Sequence, residues 1–269
     1  MSVLVKRTVS GLVFTAVVVA GLLHPFGTFV LSALLAVGLA GEFYRLAAKR
    51  RYRKEESLVM AAMVLSLLLF YCTRVQAMLP PKFLSLAALP VLAAGICQLF
   101  DGAREKEFVT EPYFPLVYIL PALLCLNCFS WRISLGLFII LWCSDIGAYC
   151  IGMLFGQREG SRKLFPALSP KKSWIGVVGG ALFAFLSAWA YWAIWGASVL
   201  PLVHWMALAV LVLFFGIPGD LFESLIKRHA GVKDAGTLIP GHGGLLDRFD
   251  DFLFVAPAVF IYMKLFSLL

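Results

Sequence analysis

"VHWMALAVLVLFFGIPGDLFESLIKR", residues 203–228, starts as an oily run and ends in charge. From Val203 to Ile217 the one ionisable side chain is His204. A helix over 203–223 would reach roughly 30 Å at about 1.5 Å per residue, the depth of a bilayer's hydrocarbon. Pro218 and Gly219 are expected to interrupt that helix, since proline lacks the donor a helix interior needs. If helix resumes, Asp220, Glu223, Ser224 and Lys227 stand at i, i+3, i+4 and i+7 and share one face. Two acids, a hydroxyl and an ammonium then gather at the end of a greasy helix. A salt bridge between helices would account for single charges there, but not for the mixture.

The rest of the chain repeats the oily pattern. Of 269 residues, 61% are hydrophobic and 14% are charged, too apolar for a soluble domain. Nine candidate spans follow, at about 8–24, 26–45, 57–73, 83–100, 112–130, 133–155, 174–196, 203–223 and 251–269. The expected fold is all-α, a polytopic membrane protein with about nine transmembrane helices. A membrane β-barrel would show short alternating strands instead. The basic start and apolar stretch of residues 1–23 imitate a secretory signal. The stretch is long for that role, so it is read as a retained first helix. Residues 1–130 are read as N-terminal helices and 131–269 as the catalytic region of one integrated membrane domain. Six cysteines fall in or near apolar runs. Cys125 and Cys128 have no second pair to complete a zinc site, so they read as packing residues.

Nine crossings put alternate loops on opposite sides. One side receives 19 of the 23 Lys and Arg, including the run 45–54, and the other receives Arg74, Lys82, Arg132 and Lys264. The positive-inside rule makes the basic side cytoplasmic. The net charge of +8 is then explained by anionic membrane lipids at that surface, and no nucleic-acid partner is needed.

No Asp or Glu falls on the outer side. Glu42, Asp145, Asp220 and Glu223 fall within or at the edges of spans, where a charge costs about 2.5 to 3.5 kcal/mol at the helix centre. Glu42 lies near the basic run and is read as pairing with it. Past the eighth span, "GHGGLLDRFDD" (241–251) brings Asp247, Asp250 and Asp251 to the start of the ninth. Carboxylates from two helix ends suit a hard divalent cation, Mg²⁺ rather than zinc. Gly241, Gly243 and Gly244 let backbone N–H groups approach an anion, and the next helix N-terminus adds positive potential. Lys227, Arg228, Lys233 and Arg248 add charge, Asp234 adds a fourth acid, and His242 could contact phosphate. The loop is not a Walker A sequence, and the combination points to a polyphosphate–metal site.

A second cluster falls on the same side. "LWCSDIGAYCIGMLFG" (141–156) places Asp145 and Tyr149 on one face, and Ala148, Gly152 and Gly156 at a spacing that permits close helix packing. In the following loop, Ser169, Lys171, Lys172 and Ser173 could grip a second phosphate. Spans seven and eight form a hairpin between the clusters, so both emerge on one side.

These residues resemble the phosphatidate cytidylyltransferases, or CDP-diacylglycerol synthases. The family's pattern is filled by Ser224, Lys227, Arg228, Lys233, Asp234, Gly236, Pro240, His242, Gly243, Gly244, Asp247, Arg248 and Asp250, and the likeness covers about 135–257. Two departures are Ile175, where members often carry Glu or Gln, and Asp251, where many carry a small residue. The resemblance implies a nine-helix membrane fold in a bacterial inner membrane with its site facing the cytoplasm. It implies CTP and phosphatidic acid as substrates, Mg²⁺, and a second cation for which K⁺ is a candidate; it leaves room for a homodimer. Carried over, Asp220 and Asp247 would be metal ligands, with Asp250 and Asp145 beside them. Asp220, Asp247, Lys227 and Lys233 would form the catalytic set. Ser169, Lys171, Lys172, Ser173, Ser224, Arg228, Asp234, His242, Gly243, Gly244 and Arg248 would hold substrate.

The chemistry is consistent. The lipid phosphate is already anionic and needs no strong base to attack the α-phosphorus of CTP. Repulsion between anions is the obstacle, and cations with positioning remove it. Two alternatives stand beside this: a CTP-dependent lipid kinase acting on a polyprenol or phytol, and an ion or anion transporter lined by buried acids. The kinase would release CDP, and the transporter would carry charges on both faces.

Overall fold

The structure, a computed structural model, describes residues 3–48, 54–75, 114–158, 161–166, 168–241 and 243–269. Its helices are α1 (Val3–Leu22), α2 (Pro25–Ala48), α3 (Lys54–Val75), α4 (Phe114–Tyr118), α5 (Leu120–Cys128), α6 (Trp131–Phe155), α7 (Trp174–Ile194), α8 (Leu202–Ala230) and α9 (Leu246–Leu265). Four are long and apolar enough to cross a membrane: the Pro25–Leu46 stretch of α2, then α6, α7 and α8. Shorter apolar stretches lie in α1, α3 and the α4–α5 pair. The chain is thus an all-α, polytopic membrane protein. Helices stand at eight of the nine expected spans, and the expected span 83–100 lies outside the described residues.

Local chemistry sets several boundaries. α1 and α2 part at Ser-free "HPFG", where Pro25 takes the first helical position and Thr28 N–H donates to the His24 carbonyl at 2.9 Å. The expected span 112–130 is two short helices meeting at Ile119. Ser130 caps α6 by accepting from Ile133 N–H, and Ser173 caps α7 by accepting from Gly176 N–H. α8 ends at Gly231, whose φ of 71° gives the left-handed turn that a Cβ would resist.

Two expectations change. α8 runs unbroken through Pro218 and Gly219. A helix held on several sides by neighbours tolerates one missing donor, so proline here does not end it. The loop after α6 also contains a small antiparallel hairpin, β1 (Lys163–Phe165) with β2 (Ser169–Ser173), where only helix and loop were expected.

Small residues let α6 and α7 approach: a Cβ on Gly147 would stand 2.6 Å from the Gly179 carbonyl oxygen. Buried aromatics fill the centre, with Phe138 stacked on Phe252 at 5.0 Å and Phe43 on Phe114 at 5.2 Å. These contacts bind α2, α4, α6 and α9 into one core. Among the described residues, Cys125 and Cys128 form no disulfide.

Candidate active site

The C-terminal half of α8 crosses the start of α9, and a glycine decides how closely. A Cβ on Gly219 would lie 2.7 Å from the Asp250 carbonyl oxygen. Without one, the backbone of α9 comes down onto α8 and brings Asp250 and Asp251 beside Asp220. Each of these three offers a carboxylate oxygen within 4.8 Å of the others. Asp145 of α6 lines the same cavity as Asp251. Asp251 Oδ1 is buried without a hydrogen-bond partner among the described residues.

Lys172 enters from β2 and forms an ion pair with Asp220 Oδ2. Burial works against its ammonium charge, yet the carboxylates of Asp220, Asp251 and Asp250 outweigh it and hold the Lys172 pKa above the usual lysine value. Ser224 Oγ donates to the other oxygen of Asp220 at 3.5 Å. The predicted face of α8 is therefore present: Asp220, Glu223, Ser224 and Lys227 point toward the α9 side.

Asp247 is held differently. Its Oδ2 accepts from Ala235 N–H at 2.9 Å and from Gly244 N–H at 2.8 Å, and its Oδ1 accepts from Lys227 Nζ at 2.8 Å. Lys227 also pairs with Glu223, a wholly buried carboxylate. The glycine loop turns tightly between Ile239 and Gly243, whose backbones pair at 2.9 Å, with φ of 80° at Gly241 and 85° at Gly243. The Gly244 amide at its end and the Ala235 amide before it thus serve a carboxylate of the protein itself. Asp247 is not in the oxygen trio but stands at the same cavity as Asp145, Asp220, Asp250 and Asp251.

The other expected residues divide. Ser173 lines this cavity, but its hydroxyl serves as the α7 cap. Lys171 lines it as well, and its carbonyl accepts from the Gln157 amide at 2.9 Å. Arg248 is exposed at the cavity edge. Arg228 lies outside it, with Nε donating to the Leu168 carbonyl at 3.4 Å and Nη1 to the Val232 carbonyl at 3.2 Å. Lys233 and Asp234 are exposed on the loop after α8, and Ser169 opens β2 away from the cavity lining. Gly243 and Gly244 form the loop around Asp247, and His242 lies outside the described residues. Residues 49–53 of the basic run that Glu42 is expected to meet lie outside the described residues. Glu42 is wholly buried, and its Oε2 accepts from Leu246 N–H at 2.9 Å. The two residues are 204 positions apart, so no local pattern could have revealed the bond.

The cavity has a volume of about 460 Å³, in the range of small-ligand sites. Apolar side chains of α6, α7 and α8, Met153, Val177 and Leu213 among them, line much of the rest of it. A second cavity of about 360 Å³ lies under α1, with Phe14, Trp142 and Phe252 in its wall. Asp145, Asp247, Asp250 and Asp251 line both, so the acids form the partition between the two spaces. Oxygen-only donors, several acids in one place and the orphaned Asp251 Oδ1 fit a hard divalent cation.

Comparison with known proteins gives a consistent picture. The model of the cytidylyltransferase family matches residues 5–266. A phosphatidate cytidylyltransferase of Bacillus subtilis (strain 168) is 40% identical over 129 residues, 48% of this chain and 46% of the relative. One of Staphylococcus aureus (strain COL) is 43% identical over 130 residues, 47% of this chain and 46% of the relative. One of Staphylococcus epidermidis is 42% identical over 144 residues, 49% of each. The matches span about half the length of these curated relatives.

Proposed function

We propose that this chain, which belongs to the cytidylyltransferase family, transfers CMP from CTP to phosphatidic acid, giving CDP-diacylglycerol and pyrophosphate. The observation that carries the reading is the convergence of Asp145, Asp220, Asp247, Asp250 and Asp251 with Lys172 at one cavity beside apolar helix faces. Such a place suits a lipid whose headgroup is a phosphate. The names and 40–43% identities of the relatives support the same substrates.

In the reaction, an oxygen of the lipid phosphate forms a bond to the α-phosphorus of CTP. The bond from that phosphorus to the β-bridging oxygen breaks, and pyrophosphate leaves with the electron pair. Asp220, Asp250 and Asp251 would hold Mg²⁺, with Asp145 and Asp247 at its border. When bound, Mg²⁺ supplies charge neutralisation between the two reacting anions. A second cation, K⁺ as a candidate, would bind beside it. With Asp220 holding the cation, the ammonium of Lys172, now paired with Asp220, would be placed to meet a phosphate oxygen. Lys227 keeps Asp247 ionised and fixed. Arg248 and Lys171, at the cavity edge, meet the outer phosphates, and Lys233 raises the local positive potential. The apolar lining keeps bulk water from the α-phosphorus, which protects CTP from hydrolysis.

The uneven charge, 19 basic residues against 4, supports a site at the cytoplasmic face of a bacterial inner membrane, where CTP is present. The test is an assay of the purified chain with phosphatidic acid, Mg²⁺ and CTP labelled at the α-phosphate. Label in a lipid product together with released pyrophosphate is the expected result. Release of CDP with an unlabelled lipid would replace the reading by a CTP-dependent lipid kinase. No consumption of CTP would end it.

A further inference from the structure

We propose that Glu42, on α2, is a positioning residue for this site, setting from behind the loop that holds Asp247. The inference deepens the cytidylyl-transfer reading and rests on it for its kinetic consequences.

α9 begins without a side-chain cap of its own, because its N-cap residue is Leu245. Glu42 supplies the missing acceptor from another helix, taking the Leu246 N–H at 2.9 Å. A carboxylate at a helix start is doubly favourable, since it satisfies a free amide and faces the positive end of the dipole. The amide it holds belongs to the residue immediately before Asp247.

The surrounding glycines are shaped to this carboxylate. A Cβ on Gly236 would stand 2.5 Å from Glu42 Oε1, and one on Gly244 would stand 2.8 Å from Glu42 Cδ. Neither glycine needs its freedom for backbone conformation; the positive φ angles of the loop fall at Gly241 and Gly243. Gly236 and Gly244 are therefore small because Glu42 lies against them. These two segments also deliver the amides that grip Asp247, from Ala235 and from Gly244 itself. Glu42 is wedged behind both. It lines neither cavity, so it acts through Asp247 and not on substrate. α1 adds a further hold, with Ser10 Oγ donating to the Pro240 carbonyl at 2.8 Å. The N-terminal helices thus seat the loop.

The test uses the purified full-length chain and five forms: wild type, Glu42→Gln, Glu42→Ala, Gly244→Ala and the double variant Glu42→Ala with Gly244→Ala. Glutamine keeps an acceptor oxygen and the volume, and its kcat is expected within about threefold of wild type. Alanine is expected to lower kcat by about ten- to a hundredfold, the size of effect a small misplacement causes, with KM for CTP shifted much less. Gly244→Ala is expected to be costly alone and to add little once the Glu42 carboxylate is gone. Amide exchange over 244–248 should quicken at least about tenfold in Glu42→Ala and stay slow in Glu42→Gln, as the capping bond predicts. Wild-type kcat in Glu42→Ala, an equal loss in Glu42→Gln, or costs that simply multiply would overturn the proposal. If wild type forms no CDP-diacylglycerol, the transfer reading falls, and the exchange comparison still decides the place of Glu42. Should Glu42→Ala fail to accumulate, Glu42→Asp, which withdraws the carboxylate by one methylene, takes its place in every comparison.

Discussion

Lys227 donates to Asp247 across the junction of α8 and α9, Nζ to Oδ1, at 2.8 Å. The same ammonium pairs with Glu223, so one cation serves two acids from two helices. Glu223 is wholly buried. Lys227→Met should therefore strand a buried carboxylate and cost about 3–5 kcal/mol, the range for breaking a buried pair from one side. Thermal unfolding in detergent micelles checks this, and adding Glu223→Gln should recover part of the loss.

The trio of Asp220, Asp250 and Asp251 makes a second prediction. Asp220→Asn and Asp251→Asn should each raise the Mg²⁺ concentration needed for half-maximal turnover by at least about tenfold, as loss of one charged ligand costs on the order of 1.4 kcal/mol or more. A Mg²⁺ titration at saturating CTP reads the shift. Unchanged demand in both variants would remove these residues from the metal site.

Asp247→Asn should abolish turnover while the chain still inserts and unfolds cooperatively. Asparagine keeps an oxygen for the amides of Ala235 and Gly244 but loses the charge that Lys227 meets. Normal turnover in this variant would exclude Asp247 from the chemistry.

Gly219→Ala places a methyl 2.7 Å from the Asp250 carbonyl oxygen, a contact relieved only by moving α9 away from α8. The cost should be about 1–3 kcal/mol, typical of overpacking, and the acids should lose their common geometry. Both melting temperature and turnover should fall.

Gly231→Ala separates backbone strain from crowding. Its φ is 71°, yet a Cβ there would meet nothing within 4 Å. The substitution should cost about 1–2 kcal/mol through the left-handed conformation alone. Melting temperature should drop while kcat per folded molecule stays at the wild-type value.

Much of this molecule is legible in its sequence, for reasons that are local. A helix in hydrocarbon must satisfy its own backbone, so oily runs such as 133–155 and 203–217 specify their secondary structure by composition and length. The helical spacing of Asp220, Glu223, Ser224 and Lys227 fixes their common face before any packing is known. The motif residues from Ser224 to Asp250 carry the resemblance to the family in the same way.

Tertiary structure decided the rest. That α8 passes through Pro218 intact depends on neighbours that the local sequence does not describe. That Asp251 joins Asp220 and Asp250 depends on how closely α9 can lie on Gly219. That Glu42 caps α9 depends on a contact across 204 residues. Hydropathy and spacing act along one helix, whereas a shared ion pair or a borrowed cap needs two helices at a fixed distance, and that distance is set by which side chains are small enough to let backbones meet.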